Sequence, residues 1–215
     1  MKKLLAGVSA VVMALSLAGC GQTSKLYPSS KKEGVFFSVP KNWSGITTKS
    51  LNQYEAKTAE NESDSKVSLV KWQIAYSPNK KIKAADVFTL QTPSHPLVFA
   101  RVRALSESEI NEVSYNTLRD VIIPLTQLVN GDSTQDPGFS ILADEEVIEK
   151  AARGVRTVYT LTIEDVKQTI SQTALVANDR STMYIFVVRC TTTCYDKNKK
   201  TINEIVNSFT VRGAR

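Results

Sequence analysis

The first 19 residues of the chain are predicted to take no part in the fold. Lys2 and Lys3 form a short positive region, Leu4–Leu17 is an uncharged and mostly apolar run, and small residues follow it. This order is typical of a secretory signal peptide, which is removed from the mature protein. We therefore expect an exported protein and exclude residues 1–19 from reasoning about the fold.

The quartet Leu17-Ala18-Gly19-Cys20 closes this segment and resembles the bacterial lipobox. The resemblance implies cleavage just before Cys20 and attachment of diacylglycerol to its sulfur, often with a further acyl chain such as palmitate. Stable anchoring takes more than one acyl chain. The expected location is thus the extracytoplasmic face of a bacterial cell membrane. A transmembrane span is the weaker alternative, because it needs about 20 apolar residues and residues 21–24 are polar or glycine.

The mature chain is predicted to contain a tether and one domain. Residues 20–34 comprise Cys20 and a stretch rich in Gly, Ser, Pro and Lys, which predicts a flexible tether. Residues 35–215 are enough for a single domain with a sizeable core. The formal net charge of the whole chain is +6, with the two signs interspersed. Solvated surface or attraction to an anionic envelope explains this charge better than nucleic acid, which is not an expected partner of an exported protein.

Alternation of apolar and polar residues predicts a series of short strands. They lie at 35–40, 67–76, 97–105, 140–150, 154–163, 168–177 and 183–189. Polar turns separate the later strands closely, which favours antiparallel hairpins. The polar segment 51–66 is predicted as an exposed loop.

Two longer helices are predicted, together with a short helical turn at 84–90. Ser106 and Glu109 have the spacing of a capping box, and an apolar stripe at helical spacing follows them. Pro124 lies inside this stripe and should kink or end the helix. A last helix is predicted from about Asp196 to Phe209. The expected fold class is α+β, with a central antiparallel sheet flanked by helices.

Two short motifs near the ends of the domain are similar to those of PsbP/Mog1-like domains. Residues 34–43 (GVFFSVPKNW) combine a Phe-containing strand with a following Pro and Trp, and residues 203–211 (NEIVNSFTV) form a helix ending in Ser-Phe before a strand. The resemblance implies an αβα sandwich and no enzymatic activity, because this family consists mainly of binding and assembly proteins. The family also includes bacterial lipoproteins, and this is the group that the lipobox cysteine Cys20 matches.

With Cys20 taken by lipid, two cysteines remain, Cys190 and Cys194, and they can pair with each other. In an oxidising compartment, a structural disulfide is the favoured interpretation. A redox pair more typically has Cys-x-x-Cys spacing, and a metal pair needs further ligands, which are scarce here.

No catalytic set is recognised in the sequence. His95, the single histidine, lies between prolines in a predicted loop and is interpreted as a surface residue. Residues 130–136 place oxygen ligands at alternate positions, but Gln135 and Ile141 stand where a calcium loop needs Gly and Glu. The aromatic side chains Trp43, Trp72 and Tyr76 are expected to belong to the core.

We therefore expect a non-enzymatic, membrane-anchored binding or assembly module of the cell envelope, with no cofactor and no metal. Its partners would be the membrane, through lipid on Cys20, and an envelope protein. The alternative is an extracytoplasmic receptor for a small molecule or metal.

Overall fold

The structure, a computed structural model, describes residues 24–58, 66–89, 91–130 and 138–213. Cys20, the signal segment and most of the 130–136 segment lie outside these ranges. The strands are β1 Lys25–Leu26, β2 Ser29–Ser30, β3 Val35–Phe36, β4 Val39–Pro40, β5 Ser44–Ile46, β6 Val70–Ser77, β7 Leu97–Ala104, β8 Ser140–Ile148, β9 Ala152–Ile163, β10 Val166–Ala177, β11 Thr182–Thr191 and β12 Thr210–Val211. The helices are α1 Thr48–Thr58, α2 Ala84–Phe88, α3 Glu107–Glu112, α4 Tyr115–Arg119, α5 Leu125–Asn130, α6 Thr192–Lys197 and α7 Lys199–Ser208.

A seven-stranded antiparallel sheet is the centre of the fold, in the order β5-β6-β7-β11-β10-β9-β8. Strands β8 to β11 are joined in sequence by tight turns, and β7 pairs with β11 over its full length. This arrangement confirms the predicted α+β class with a central antiparallel sheet. The long strands lie close to the positions that alternation predicts, because a period of two residues is a local property of an extended chain.

The two faces of the sheet are covered differently. One face packs against α6, α7 and the N-terminal strands, and it forms the largest apolar core. The opposite face carries two separate groups of helices. Helices α3 to α5 cover β9, β10 and β11, whereas α1 and α2 cover β5, β6 and β7.

The N-terminal residues 24–41 form a β-ribbon, which corrects the predicted tether for residues 24–34. At the open end of the ribbon, Lys41 N donates a hydrogen bond to Ser24 O. Strand β1 then pairs with β4 and β2 pairs with β3, and the chain turns at residues 31–34. Gly34 adopts the left-handed region at φ 66° and accepts a hydrogen bond from Arg212 N. Composition indicated flexibility because the side chains are small and polar, but the backbone pairing supplies order that composition does not reveal.

Aromatic rings join the ribbon to the sheet. Phe37 contacts Phe186 at 5.0 Å between ring centroids, and its ring edge packs against Trp72 and Tyr76. Trp72, Tyr76 and Trp43 pack against the largest core while partly buried. These three aromatic residues are thus placed in the core, as expected.

The predicted helices differ from the observed ones at their boundaries. The segment predicted as a loop from residue 51 is helical in α1, where Leu51 is the one buried residue. The predicted helix from Ser106 is three helices, because the Ser114 side chain accepts a hydrogen bond from Thr117 N and starts a new one. Pro124 immediately precedes α5 instead of kinking it. The predicted last helix is divided at Asn198 into α6 and α7.

The turn of the ribbon provides a test of its place in the fold. An added Cβ at Gly34 would lie 2.0 Å from Gly213 O, and the positive φ already disfavours other residues. Gly34→Ala should therefore lower the free energy of unfolding by about 2–4 kcal/mol, measured by urea denaturation. Lys32→Ala, at an exposed position of the same turn, should change it by less than about 0.5 kcal/mol. Equal stability of the two variants would mean that this segment is a tether after all.

A charged groove between two helical groups as the candidate site

A groove lies on the central sheet beside α3 and α4, and on the side toward α1 it is bounded by the ion pair between Arg101 and Glu55. Its floor is formed by β7 and β11, where Arg101 pairs with Ile185 and Arg103 pairs with Met183. The cavity has a volume of about 470 Å³. This volume is within the range of roughly 300–1,000 Å³ that is common for ligand sites. The apolar lining residues are Leu105, Val113, Val121, Met183 and Ile185.

The Arg101 side chain ties the groove floor to α1. Its guanidinium forms an ion pair with Glu55, and the other carboxylate oxygen of Glu55 accepts a hydrogen bond of 2.7 Å from Gln73 Nε2. Gln73 is fully buried and also donates to Asn52 Oδ1. The Arg101 guanidinium lies 5.9 Å from the ring centroid of Phe88, a distance at which a cation is attracted to an aromatic face.

The Arg103 side chain ties the floor to α3 on the other side. Both of its terminal nitrogens donate to the Glu109 carboxylate at 2.8 Å, a bidentate geometry that is stronger than a single contact. Glu109 also accepts from Ser106 N, and the Ser106 side chain accepts from Glu109 N. The capping box predicted from the sequence is therefore present, and it holds α3 at the groove.

These contacts leave the groove with an acidic character. Arg101 and Arg103 are each paired with a glutamate, whereas Glu112 and Asp120 also line the cavity. Asp120 accepts a hydrogen bond from Thr126 N at 2.8 Å, and Glu112 is exposed at the rim. A group with an apolar stem and a positive end fits this combination of apolar floor and carboxylates.

Sequence reasoning identified parts of this groove without bringing them together. Arg101 and Arg103 are visible as alternate charged residues on a predicted strand, and Glu109 as a capping residue. The sequence does not point to Glu55, because the polar composition of its segment predicts a loop. Its spacing from Leu51, one helical turn, is a weak signal that a helix could be present.

His95 lies at one end of the sheet, away from the groove. Its Nδ1 is 3.1 Å from the Oγ of the adjacent Ser94, and both line a cavity of about 260 Å³ together with Asp86. The Asp86 carboxylate instead accepts from Lys83 N at the start of α2. Among the described residues, Ser94 is the only hydrogen-bond partner of the imidazole, so this cluster lacks the carboxylate that orients the histidine of a catalytic triad.

A disulfide joins Cys190, near the end of β11, to Cys194 in α6, with the two Cα atoms 5.9 Å apart. Both cysteines are buried in the largest core. Thr191 is the last residue of β11 and caps α6, because its side chain accepts a hydrogen bond from Cys194 N. The bond and this cap together define the turn from β11 into α6.

Two features are absent from the described residues. No group of three or more His, Cys, Asp or Glu side chains in this part of the chain is arranged to hold a metal ion. No helix within residues 24–58, 66–89, 91–130 or 138–213 is long and apolar enough to cross a bilayer.

Comparisons with known proteins find structural neighbours only. The sequence matches no protein-family model and no curated protein. The structure is similar to cyanobacterial PsbP (CyanoP) from Synechocystis sp. PCC 6803, with a TM-score of 0.48, 16% identity and coverage of 91% of this chain and 98% of that one. It is also similar to LpqN of Mycobacterium tuberculosis, described as involved in cell envelope biogenesis, with a TM-score of 0.47, 8% identity and coverage of 87% and 90%.

A third neighbour is the Ran-binding protein Mog1p of Saccharomyces cerevisiae, with a TM-score of 0.44, 12% identity and coverage of 88% of this chain and 96% of that one. The neighbours thus include the PsbP and Mog1 proteins to which the two end motifs pointed. All three TM-scores are below 0.5, so the fold class rests on the strand order of the chain itself.

Reduction of the disulfide should lower the stability of the domain measurably. The bond closes a loop of only a few residues, for which the chain-entropy model gives a stabilisation of about 2 kcal/mol. Urea denaturation with and without reductant should show a difference of this size. A Cys190→Ala/Cys194→Ala variant should not respond to reductant. Alkylation of both residues in unreduced envelope protein, detected by mass, would contradict the disulfide.

Proposed function

We propose that this chain is a lipid-anchored protein of the bacterial cell envelope that acts as a binding module and not as an enzyme. In this proposal lipid on Cys20 holds the domain at the extracytoplasmic face of the membrane. The groove between the helical groups then receives a lysine or arginine side chain of an envelope protein partner.

The anchor is supported by the sequence of the first 20 residues. A positive start, an apolar run and small residues precede a cysteine at the position where a lipobox places it. The first described residue, Ser24, lies four residues after Cys20 and already belongs to the ribbon. A domain with this connection would be held close to the bilayer.

The observation that carries the binding role is the charge arrangement of the groove. Ion pairs to Glu55 and Glu109 neutralise the two floor arginines, and these contacts hold the two walls to the sheet. The carboxylates of Glu112 and Asp120 remain beside an apolar floor. A partner's lysine or arginine would lay its aliphatic stem on that floor and bring its charge to these carboxylates.

Substitution of Cys20 tests the anchor. The wild-type protein should incorporate a labelled fatty acid and sediment with membranes. Cys20→Ala should do neither, because the acceptor sulfur is gone. Released protein that still resists urea as the wild type does would show that the domain itself is intact. Wild-type protein without a lipid mass increment would overturn the anchor.

Two tryptophan variants on α3 test the groove. Glu112 lines the cavity, whereas the neighbouring Asn111 does not, and both side chains are exposed. Glu112→Trp should fill the mouth of the groove and remove a carboxylate. It should therefore lower the yield of partner crosslinked in intact cells by about tenfold, quantified by mass spectrometry. Asn111→Trp should leave the yield unchanged. Equal yields from both variants would exclude the groove as the partner site.

A receptor for a small amine is the second candidate, and the size of the groove favours it. A cavity of about 470 Å³ could enclose a cationic small molecule as well as a side chain. Such a ligand would raise the apparent stability of the domain, because it binds the native state alone. Thermal unfolding in the presence of a panel of amines separates the two candidates: a shift that Glu112→Trp abolishes favours the receptor.

A further inference from the structure

The ribbon and the sheet define which end of the domain is near the lipid. Ser24 is hydrogen-bonded to Lys41, which lies three residues before Ser44 at the start of β5. Ser44 pairs with Ser77, the last residue of β6. The end of the sheet that carries Ser77 and the start of β7 is therefore also the end at which the described chain begins. We call it the anchor end.

Exposed lysines are concentrated beside this point. Lys41 leaves the ribbon here, and the loop that follows Ser77 carries Lys80, Lys81 and Lys83. The side chains of all four are exposed, and none forms an ion pair with another described residue. The segments 24–26, 39–46, 77–89 and 91–97 contain a single acidic residue, Asp86. Within these segments the exposed lysines outnumber the acidic residues, so the part of this end nearest to Ser24 carries an excess of positive charge. Glu164 and Asp165 lie at the same end of the sheet, but in the turn between β9 and β10, several strands away from β6.

A buried arginine adds to the positive charge of the anchor end. The Arg189 guanidinium donates to the backbone oxygens of Asp86 and Gln91, at 2.8 and 3.0 Å, and Arg189 is 5% exposed. Burial lowers its pKa to about 10, so the group remains charged at neutral pH. Its contacts are to backbone carbonyls, and they hold the segment after the lysine loop against the sheet.

An exposed aromatic side chain lies close to the same point. Tyr27 follows Ser24 by three residues and exposes 66% of its surface. Tyrosine is enriched where one part of a side chain is apolar and the other contacts water, as at the surface of a bilayer.

We propose that the anchor end is a second membrane contact, in which Lys41, Lys80, Lys81 and Lys83 bind the phosphates of an anionic phospholipid bilayer. The inference rests on the proposed lipid at Cys20. Ser24 follows Cys20 by four residue steps, which span at most about 14 Å, so the lipid keeps this end near the headgroups. An acyl anchor and a basic surface reinforce each other in membrane binding.

Vesicle binding by protein without lipid tests this contact separately from the anchor. The probe is the mature chain with Cys20→Ser, mixed with vesicles of phosphatidylcholine alone or with phosphatidylglycerol. Binding should require phosphatidylglycerol and weaken strongly between 0.1 and 0.5 M salt, because salt screens exposed charges. Each lysine near an anionic surface raises binding by about fivefold. Substitution of Lys80, Lys81 and Lys83 by Gln should therefore lower the partition coefficient by about tenfold or more.

Three lysines at the opposite end provide a control with the same change of charge. Lys31 and Lys32 lie in the ribbon turn, and Lys150 lies in the turn between β8 and β9; all three are exposed. Their substitution by Gln should lower binding by less than about threefold. Equal losses from the two triple variants, or no binding to phosphatidylglycerol vesicles, would overturn the proposal. A failure of fatty-acid labelling at Cys20 would instead overturn the lipid anchor. Vesicle binding by the protein without lipid would still test the basic surface, because that experiment does not depend on the anchor.

Discussion

The N-terminal and C-terminal parts of the domain are both packed against the ring of Phe186. It lies in β11, at the centre of the sheet, between Phe37 of the ribbon at 5.0 Å and Phe209 at the end of α7 at 4.5 Å. Aromatic pairs at such distances add to the free energy of burying each ring. Phe37 thus holds the ribbon on this face of the sheet, and the ribbon begins beside the end that carries Ser77.

The opposite face depends on charged contacts instead. Arg101 and Arg103 project from β7 into the space between two apolar clusters, and each holds one group of helices through a glutamate. The ion pairs join the floor of the groove to α1 and α3, and the carboxylates of Glu112 and Asp120 lie at the same cavity. The residues that stabilise this face and the carboxylates that carry the proposed binding role are therefore neighbours in one groove.

The sequence predicted the parts of this structure that depend on local patterns. Alternation placed the long strands, and the capping box of Ser106 and Glu109 placed the start of α3. Helix α1 was missed because a single residue, Leu51, is buried and its other contacts come from distant Gln73 and Arg101. The paired ribbon was missed for a similar reason, since backbone hydrogen bonds between short strands leave little trace in composition.

The sequence alone determined the α+β class, the candidate lipid site at Cys20 and the cysteine pair, because periodicity, cleavage motifs and close cysteines are all short-range properties. Tertiary structure decided the rest. It brought Arg101, Glu109 and Asp120 to one groove, and it brought Lys41 and the loop after Ser77 to the end where the described chain begins. These residues are far apart along the chain, and only the order and direction of the paired strands makes them neighbours.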